Sequence, residues 1–236
     1  MTIYISLTTP FEISVDGGPW ETRPIVALPP FAKHRVRSPS GLISAICIES
    51  ETVDPDDLSR LTVAINAPAT SSTFHRYIQD AHHYLGSQSN ADGFSTSEFD
   101  HLFLGEELKS RGMDERIVAV LNDLSAASEE LSSTADTCAA KVSLSASRFL
   151  HLFKDNTSVP FRSYRMWRRA RRFMDRVDGQ DSLTDVALDL GYPDSSHFSH
   201  SIRQIFGLQP RSIRAGSQDL LIHTGSGYKR MAAAFA

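Results

Sequence analysis

The C-terminal half of the chain contains a segment that repeats after 49 residues. A shift of that length places Phe149 on Phe198 and Phe153 on Ile202. Each copy reads as a short helix, a tight turn and a second helix: ADTCAAKV, SLS and ASRFLHLFK in the first copy, and SLTDVALDL, GYPD and SSHFSHSIRQIF in the second. Two helices joined by a turn of three or four residues form a helix-turn-helix. The repeat therefore predicts two helix-turn-helix units.

The turns of the two units differ in one residue type. Ala139 and Ala187 match at a shift of 48, so the second turn is one residue longer, and both are small enough for close approach of the paired helices. Gly191 suits a turn position with positive φ. The first unit has Ser143 there, where the same conformation costs roughly 1–2 kcal/mol. The first turn is therefore the weaker match.

The second helix of each unit has an apolar side and a polar side. The apolar sides hold Phe149 and Phe153 in the first unit and Phe198 and Ile202 in the second. The polar sides match across the same shift: Ser147 meets Ser196, Leu150 meets Ser199, His151 meets His200, and Lys154 meets Arg203. A helix in the major groove of DNA needs short donors and acceptors near base edges and cations near phosphates. Both sides have this order and predict DNA reading; the alternative is two solvated helix faces derived from a duplication.

An arginine-rich stretch, PFRSYRMWRRARRFMDRV, joins the two units and reads as one helix. Its apolar stripe includes Tyr164, Trp167, Ala170 and Met174, so some of its arginines must contact protein rather than DNA. A helix rises ~1.5 Å per residue. This one can therefore hold apart the second helices of the two units, which we call the reading helices. Reading helices in successive major grooves on one face of DNA lie about 34 Å apart. The stretch is therefore predicted to set that spacing.

Charge is divided between the two halves of the chain. Counting Lys and Arg against Asp and Glu, residues 1–110 have a net charge of −7 and residues 137–216 a net charge of +6. The basic segment is the candidate for a polyanionic partner. No run approaches the ~18 apolar residues of a membrane span, and the N-terminus lacks the basic start and apolar core of a secretory signal. These features predict a cytoplasmic protein with no membrane contact.

The first 50 residues have the pattern of short strands. TIYISL, FEISV, PIVALP, HRVRS and LISAICIE are separated by Gly- and Pro-rich turns and predict a small all-β unit, either barrel or sandwich. DPDDLSRLTVAIN and STFHRYIQDAHHYLG then read as helices, with a Gly- and Ser-rich break at 86–97. Asp114 can cap a further helix. The tail after about residue 216 is expected to be loosely ordered.

From about Asp114 to Arg214 the sequence resembles the DNA-binding domain of the AraC/XylS family of bacterial transcription regulators. The resemblance rests on DERI at 114–117, LSASRFLHLFK at 144–154, YRMWRR at 164–169 and SLTDVALDLGYPDSSHFSHSIRQIFGLQP at 182–210. In this family seven helices form two helix-turn-helix units, and each second helix enters a major groove. The resemblance implies an α+β protein with an all-α DNA-binding domain at 111–216, followed by a tail at 217–236.

The resemblance and the repeat together imply two adjacent major-groove sites on double-stranded DNA. The candidate DNA-binding residues are Ser147, Arg148, Leu150, His151, Lys154, Arg169, Ser195, Ser196, Ser199, His200 and Arg203. The family often has Arg where this chain has His151 and His200. Leu150 can touch a thymine methyl group but cannot form a hydrogen bond with a base. Base preferences therefore do not transfer from the family to this chain.

Members of this family often carry an N-terminal cupin-like β domain that senses a small molecule or dimerises. The segment IVALPPFAKHRVRSPSGLISAICIE resembles the Pro-x-x-x-His strand pair of such domains. This implies a cupin-like domain or small β-barrel with trailing helices over residues 1–110, with His34 as either a structural residue or a candidate contact to an effector. The His-x-His plus Glu cluster of metal-binding cupins is missing, so neither a metal nor another cofactor is expected.

The first function hypothesis is a sequence-specific transcription regulator, not an enzyme, that is controlled by a small-molecule effector. The resemblance adds a homodimer and a contact with RNA polymerase. A second hypothesis is a cupin-type metalloenzyme with a DNA-binding appendix, which needs a metal cluster that His75, His82, His83 and His101 do not supply. A third is an interaction protein whose helical domain binds a partner protein. The polar outer faces argue against it, because a helix that docks in a groove of a partner protein needs a broad apolar stripe.

Overall fold

The structure is a computed structural model that describes residues 1–41, 43–87, 96–125, 133–177 and 179–215. Within these residues the chain forms six strands followed by ten helices, so the predicted α+β class is confirmed. The strands are β1 (Thr2–Ile5), β2 (Phe11–Val15), β3 (Glu21–Arg23), β4 (Ile25–Leu28), β5 (His34–Arg37) and β6 (Ser44–Cys47). The helices are α1 (Pro55–Asn66), α2 (Ser71–Ser87), α3 (Thr96–Leu104), α4 (Glu115–Ser125), α5 (Ala135–Lys141), α6 (Ala146–Thr157), α7 (Phe161–Met174), α8 (Leu183–Asp189), α9 (Ser195–Phe206) and α10 (Pro210–Ala215).

The strands form two antiparallel sheets of three strands each. Their strand orders are β4-β1-β6 and β3-β2-β5. In contrast to the expected small barrel, the described residues form no closed barrel, because the strands pair within two separate sheets and no ladder of the described strands joins one sheet to the other. The cupin likeness is therefore not confirmed and stays a prediction.

Helix α1 packs on the first sheet and is fixed at both ends. Its first turn is capped by Asp54, whose carboxylate accepts the N–H of Asp56 at 3.0 Å. Leu61 is fully buried in the core that α1, α2 and α3 share with the sheet. At the other end, the Asn66 side chain accepts the N–H of Ala27 at 2.9 Å and donates to its carbonyl at 2.8 Å. The last turn of α1 is thus attached to β4.

The two helices expected after residue 54 are confirmed as α1 and α2. The predicted break at 86–97 is narrower in the structure, because α2 runs to Ser87 and α3 begins at Thr96. Residues 88–95 lie outside the described residues, as does the predicted tail at 217–236. None of the described helices is both long and apolar enough to cross a membrane.

The helical half has one hydrophobic core for each helix-turn-helix unit. The first core lies between α4, α5, α6 and the start of α7, and the second between the rest of α7, α8 and α9. Helix α7 belongs to both because Tyr164 is buried in the first core and Phe173 in the second. Asp114 precedes α4 as predicted and accepts the N–H of Arg116 at 3.0 Å. Helix α7 therefore fixes the two units relative to each other, because it packs in both cores.

The N-terminal sheets contact the helical half at the end of α9. The Tyr4 hydroxyl donates to the Phe206 carbonyl at 2.8 Å and also lies 2.9 Å from Nε2 of His34. On the unpaired edge of β5, the Val36 N–H points to the Gly207 carbonyl at 3.4 Å. These residues define what we call the junction: Tyr4, His34 and Val36 on one side, and Phe206 and Gly207 on the other.

A second contact between the halves is ionic. Nε of Arg171 on α7 lies 3.6 Å from the carboxylate of Glu49, which follows β6. Arg111, at the boundary of the halves, donates from Nη1 to the Ser50 carbonyl at 3.2 Å and from Nη2 to Oγ of Ser158, just after α6, at 2.8 Å. Burial and the neighbouring Glu49 raise the pKa of Glu51 to about 7. The acidic half thus packs on the basic half through specific residue pairs.

Candidate nucleic-acid interface

The two helix-turn-helix units have the same hydrogen-bonded turn. The Leu144 N–H donates to the Ala139 carbonyl at 2.9 Å, and the Tyr192 N–H donates to the Ala187 carbonyl at 2.9 Å. Ala139 and Ala187 are 1% and 0% exposed. The small residues therefore lie where the paired helices approach most closely, as the repeat predicts.

The residues matched in the two turns share a left-handed backbone. The φ angle is 56° at Ser143 and 74° at Gly191. The first turn is therefore the same turn as the second, built with a less suitable residue. The second turn is one residue longer before its reading helix begins, because Ser145 caps α6 and Asp194 caps α9.

The polar sides of α6 and α9 face solvent. On the opposite sides Phe149, Phe153 and Phe198 are buried, so each helix is anchored by its apolar stripe. The predicted contacts Ser147, Arg148, Leu150, His151, Lys154, Ser195, Ser196, His200 and Arg203 are exposed, and Ser199 is half-buried. Packing of the acidic half on the helical half leaves these side chains accessible. Both faces are therefore open to a partner.

Helix α7 places its arginines in several environments. Arg169, the predicted DNA contact outside the reading helices, is half-buried, and its Nε finds no hydrogen-bond partner among the described residues. Arg168 is 3% exposed, and its Nη2 lies 3.5 Å from the Leu124 carbonyl. Arg171 faces Glu49. The expectation that part of this arginine set contacts protein is thus met by Arg168 and Arg171.

The helical pattern of the sequence does not single out a residue pair at the start of α9, Asp194 and His197. One carboxylate oxygen of Asp194 accepts the N–H groups of Ser196 and His197, both at 2.8 Å, and the other lies 2.8 Å from Nδ1 of His197. These contacts, with the N–H of His197 the strongest, hold the pKa of Asp194 below its usual range. A signal was available, because the 49-residue shift places His197 on Arg148.

The structure places His34, the candidate effector contact, inside the junction. The side chain is buried, its Nδ1 donates to the Ala32 carbonyl at 2.7 Å, and its Nε2 faces the Tyr4 hydroxyl. Burial lowers the pKa of His34, so the neutral imidazole is favoured. With Nδ1–H donated to Ala32, the neutral ring leaves Nε2 as an acceptor. It therefore shares the single proton of the Tyr4 hydroxyl with the Phe206 carbonyl, and in this way joins the strands to the end of α9.

A cavity of about 360 Å³ lies between the two sheets and the end of α1. A volume of this size falls within the range of small-molecule sites. Its lining is largely apolar and includes Ile13, Val15, Arg23, Val26, Leu28 and Asn66, with Arg23 paired to Glu21 at 2.7 Å. Among the described residues, no group of three or more His, Cys, Asp or Glu side chains is placed to hold a metal ion.

Comparison with known proteins bears on the helical half. A helix-turn-helix domain family matches residues 138–216. The invasion protein InvF of Salmonella typhi and Salmonella typhimurium is 37% identical over 49 residues, which are 21% of this chain and 23% of InvF. The bifunctional transcriptional activator/DNA repair enzyme Ada of Escherichia coli is 24% identical over 114 residues, which are 48% of this chain and 32% of Ada.

One solved structure that aligns with this chain is a transcriptional regulator from Chromobacterium violaceum, described as one of the AraC-type DNA-binding domain-containing proteins. The alignment covers 43% of this chain and 91% of that chain. Its sequence identity is 24% and its TM-score 0.40. The chain spans a quarter to a third of the length of InvF and Ada, and these matches therefore describe a domain rather than a whole protein. Residues 138–216 thus match an AraC-type helix-turn-helix domain, which is the part of the chain that the family match covers.

Proposed function

We propose that this chain is a sequence-specific DNA-binding transcription regulator whose helices α6 and α9 enter two adjacent major grooves. One observation carries the proposal: two packed helix-turn-helix units expose matching polar sides on their second helices. His151 and His200 lie at equivalent positions, with Lys154 and Arg203 one turn further along. In this arrangement cations hold the phosphates, and short side chains read base edges.

We assign residues 1–110 to sensing and dimerisation, and residues 111–216 to DNA binding. We place a small, largely apolar effector in the cavity between the sheets, with the ion pair of Arg23 and Glu21 in its lining. An effector there touches β2, which pairs with β5, and the edge of β5 contacts Gly207 at the end of α9. This path gives the effector a physical connection to the second reading helix.

The homodimer and the contact with RNA polymerase are supported only by the family resemblance. The proposal places the protein in the cytoplasm because bacterial DNA is there. Nothing in the described part of the chain favours the metalloenzyme alternative, since its residues bring no metal-binding group together.

The test is selection of random duplex DNA on the full chain at physiological salt. Two short conserved blocks about one helical turn apart are expected, because each reading helix covers one groove segment. A duplicated pair of blocks would identify a dimer. The double variant His151→Ala with His200→Ala is the control and should enrich weaker or altered blocks. Absence of enrichment both with the full chain and with residues 111–216 would contradict the proposed function.

A further inference from the structure

His197 is an exposed side chain of the reading helix that neither the repeat analysis nor the proposed function uses. It lies in the first turn of α9, one turn before His200, and exposes 69% of its side chain. Its Nδ1 is held 2.8 Å from a carboxylate oxygen of Asp194. The ring is therefore oriented by the protein in the absence of DNA, with Nε2 as its remaining polar atom.

The two units differ at this position in a correlated way. In the first unit the helix cap is Ser145, a neutral hydroxyl, and the residue three places later is Arg148, a permanent cation. In the second unit the cap is Asp194, and the residue three places later is His197. The Asp194 carboxylate lies 2.8 Å from Nδ1 and can accept its N–H in either protonation state of the ring. The acidic cap and the histidine therefore occur together in the second unit, where the first unit has a neutral cap and an arginine.

The hydrogen-bonding capacity of the ring determines what it can bind. With Nδ1–H donated to Asp194, a neutral ring leaves Nε2 as an acceptor, whereas an imidazolium presents Nε2–H as a donor. DNA phosphate oxygens only accept. The N-terminal end of a helix stabilises a nearby anion and destabilises a nearby cation. The carboxylate of Asp194 offsets this destabilisation for an imidazolium at His197. Among the described residues Asp194 is the charged group in contact with His197, and His200 is the next titratable group on this side of α9.

We propose that His197 binds a DNA phosphate beside the major groove as an imidazolium held by Asp194, from the position that is equivalent to Arg148 in the first unit. The inference rests on the proposed DNA-binding function. It makes binding by the second unit dependent on proton uptake. Because a phosphate contact carries no sequence information, the effect is present on duplexes of any sequence.

The experiment measures binding of the full chain to a fluorescently labelled random-sequence duplex of about four helical turns, by anisotropy, from about pH 5.5 to about pH 8. Wild type is expected to bind about tenfold more weakly at the upper end, the scale of one charge-assisted hydrogen bond. His197→Arg should bind tightly across the range, and His197→Ala weakly across it. His83→Ala, at an exposed histidine of α2 in the acidic half, is the matched control and should keep the pH dependence of wild type.

A salt titration adds a readout that a purely structural role would not change. At low pH, His197→Ala should reduce the slope of log affinity against log salt by about 0.9, the value for one phosphate contact, and at high pH by much less. A pH dependence in His197→Arg equal to that of wild type would overturn the inference while leaving DNA binding intact. Failure of all variants and wild type to bind any duplex would instead overturn the proposed function, and this inference with it.

Discussion

The ends of the two reading helices have the same backbone and different residues. The residue that caps the C-terminus is Ser158 for α6, with φ 59°, and Gly207 for α9, with φ 66°. Ser158 is exposed, and its hydroxyl accepts a hydrogen bond from Arg111. Gly207 is buried, and a Cβ there would lie 2.6 Å from the His34 ring. The left-handed cap is required by the helix ending in both units, whereas glycine is required only where another part of the chain packs on it.

The reading sides differ in a similar way. Leu150 in the first unit stands where the second has Ser199, and Arg148 stands where the second has His197. The apolar sides, in contrast, keep large hydrophobic residues at matched positions. Packing therefore constrains the apolar side of each helix, while the exposed sides share serine, histidine and a cation at matched positions and differ at these two positions. The comparison predicts different costs for the same substitution in the two units.

The largest difference is expected at the helix ends. Gly207→Ala combines left-handed strain with a clash against His34 and should lower the free energy of unfolding by about 3 kcal/mol. Ser158→Gly relieves strain but loses an exposed hydrogen bond, and should stay within about 1 kcal/mol of wild type. Denaturant unfolding of the full chain measures both. A loss below about 1 kcal/mol in Gly207→Ala would show that the junction yields to the new methyl group.

A smaller difference is expected at the turns. Ser143→Gly should raise the free energy of unfolding by about 1 kcal/mol, because it removes left-handed strain at a residue with a Cβ. Gly191→Ala should lower it by about 1–2 kcal/mol for the opposite reason. The same unfolding experiment reports both values. Changes of the same sign in the two variants would contradict the equivalence of the turns.

The cations at the ends of the two reading sides, Lys154 and Arg203, should contribute equally to DNA affinity. Lys154→Ala and Arg203→Ala should each reduce the salt dependence of binding to a random duplex by about 0.9, if each neutralises one phosphate. Arg60→Ala is the matched control, because Arg60 is paired with Asp57 at 3.1 Å in the acidic half. A reduced slope in Arg203→Ala alone would mean that only the second unit contacts DNA.

Local patterns in the sequence were enough to predict most of the helical half. The periodicity around Phe149 and Phe198 depends on residues three and four apart, so both units and their buried sides follow from the sequence. The junction joins Tyr4 to Phe206, which are 202 positions apart, and no local pattern encodes such a contact. The barrel was expected but is not formed by the described residues, and this error has the same origin, since strand alternation predicts strands but not how sheets associate.

His197 was missed for a different reason. The helical pattern assigned the outer side from Ser196, Ser199 and Arg203, and His197 lies at its border. Its importance appears only from the 2.8 Å contact to Asp194, although an aspartate cap three residues before a histidine is visible in the sequence. A comparison of the two units that included the caps would have identified the pair.

The smallest expected effect concerns pH and the end of α9. Because burial lowers the pKa of His34 in the folded chain, its contribution to stability is complete above the pH at which the free imidazole titrates, about 6.5, and is lost as pH falls through the folded value. His34 contacts Tyr4 and packs on Gly207, so this loss should appear at the end of α9 and not at the end of α6. The measurement is hydrogen exchange at pH values above and below 6.5, corrected for intrinsic exchange rates. In wild type, the protection of amides near Phe206 should fall at the lower pH. In His34→Gln, that protection should be the same at both pH values. An equal fall at both helix ends, or its persistence in His34→Gln, would show that the junction does not distinguish the two units.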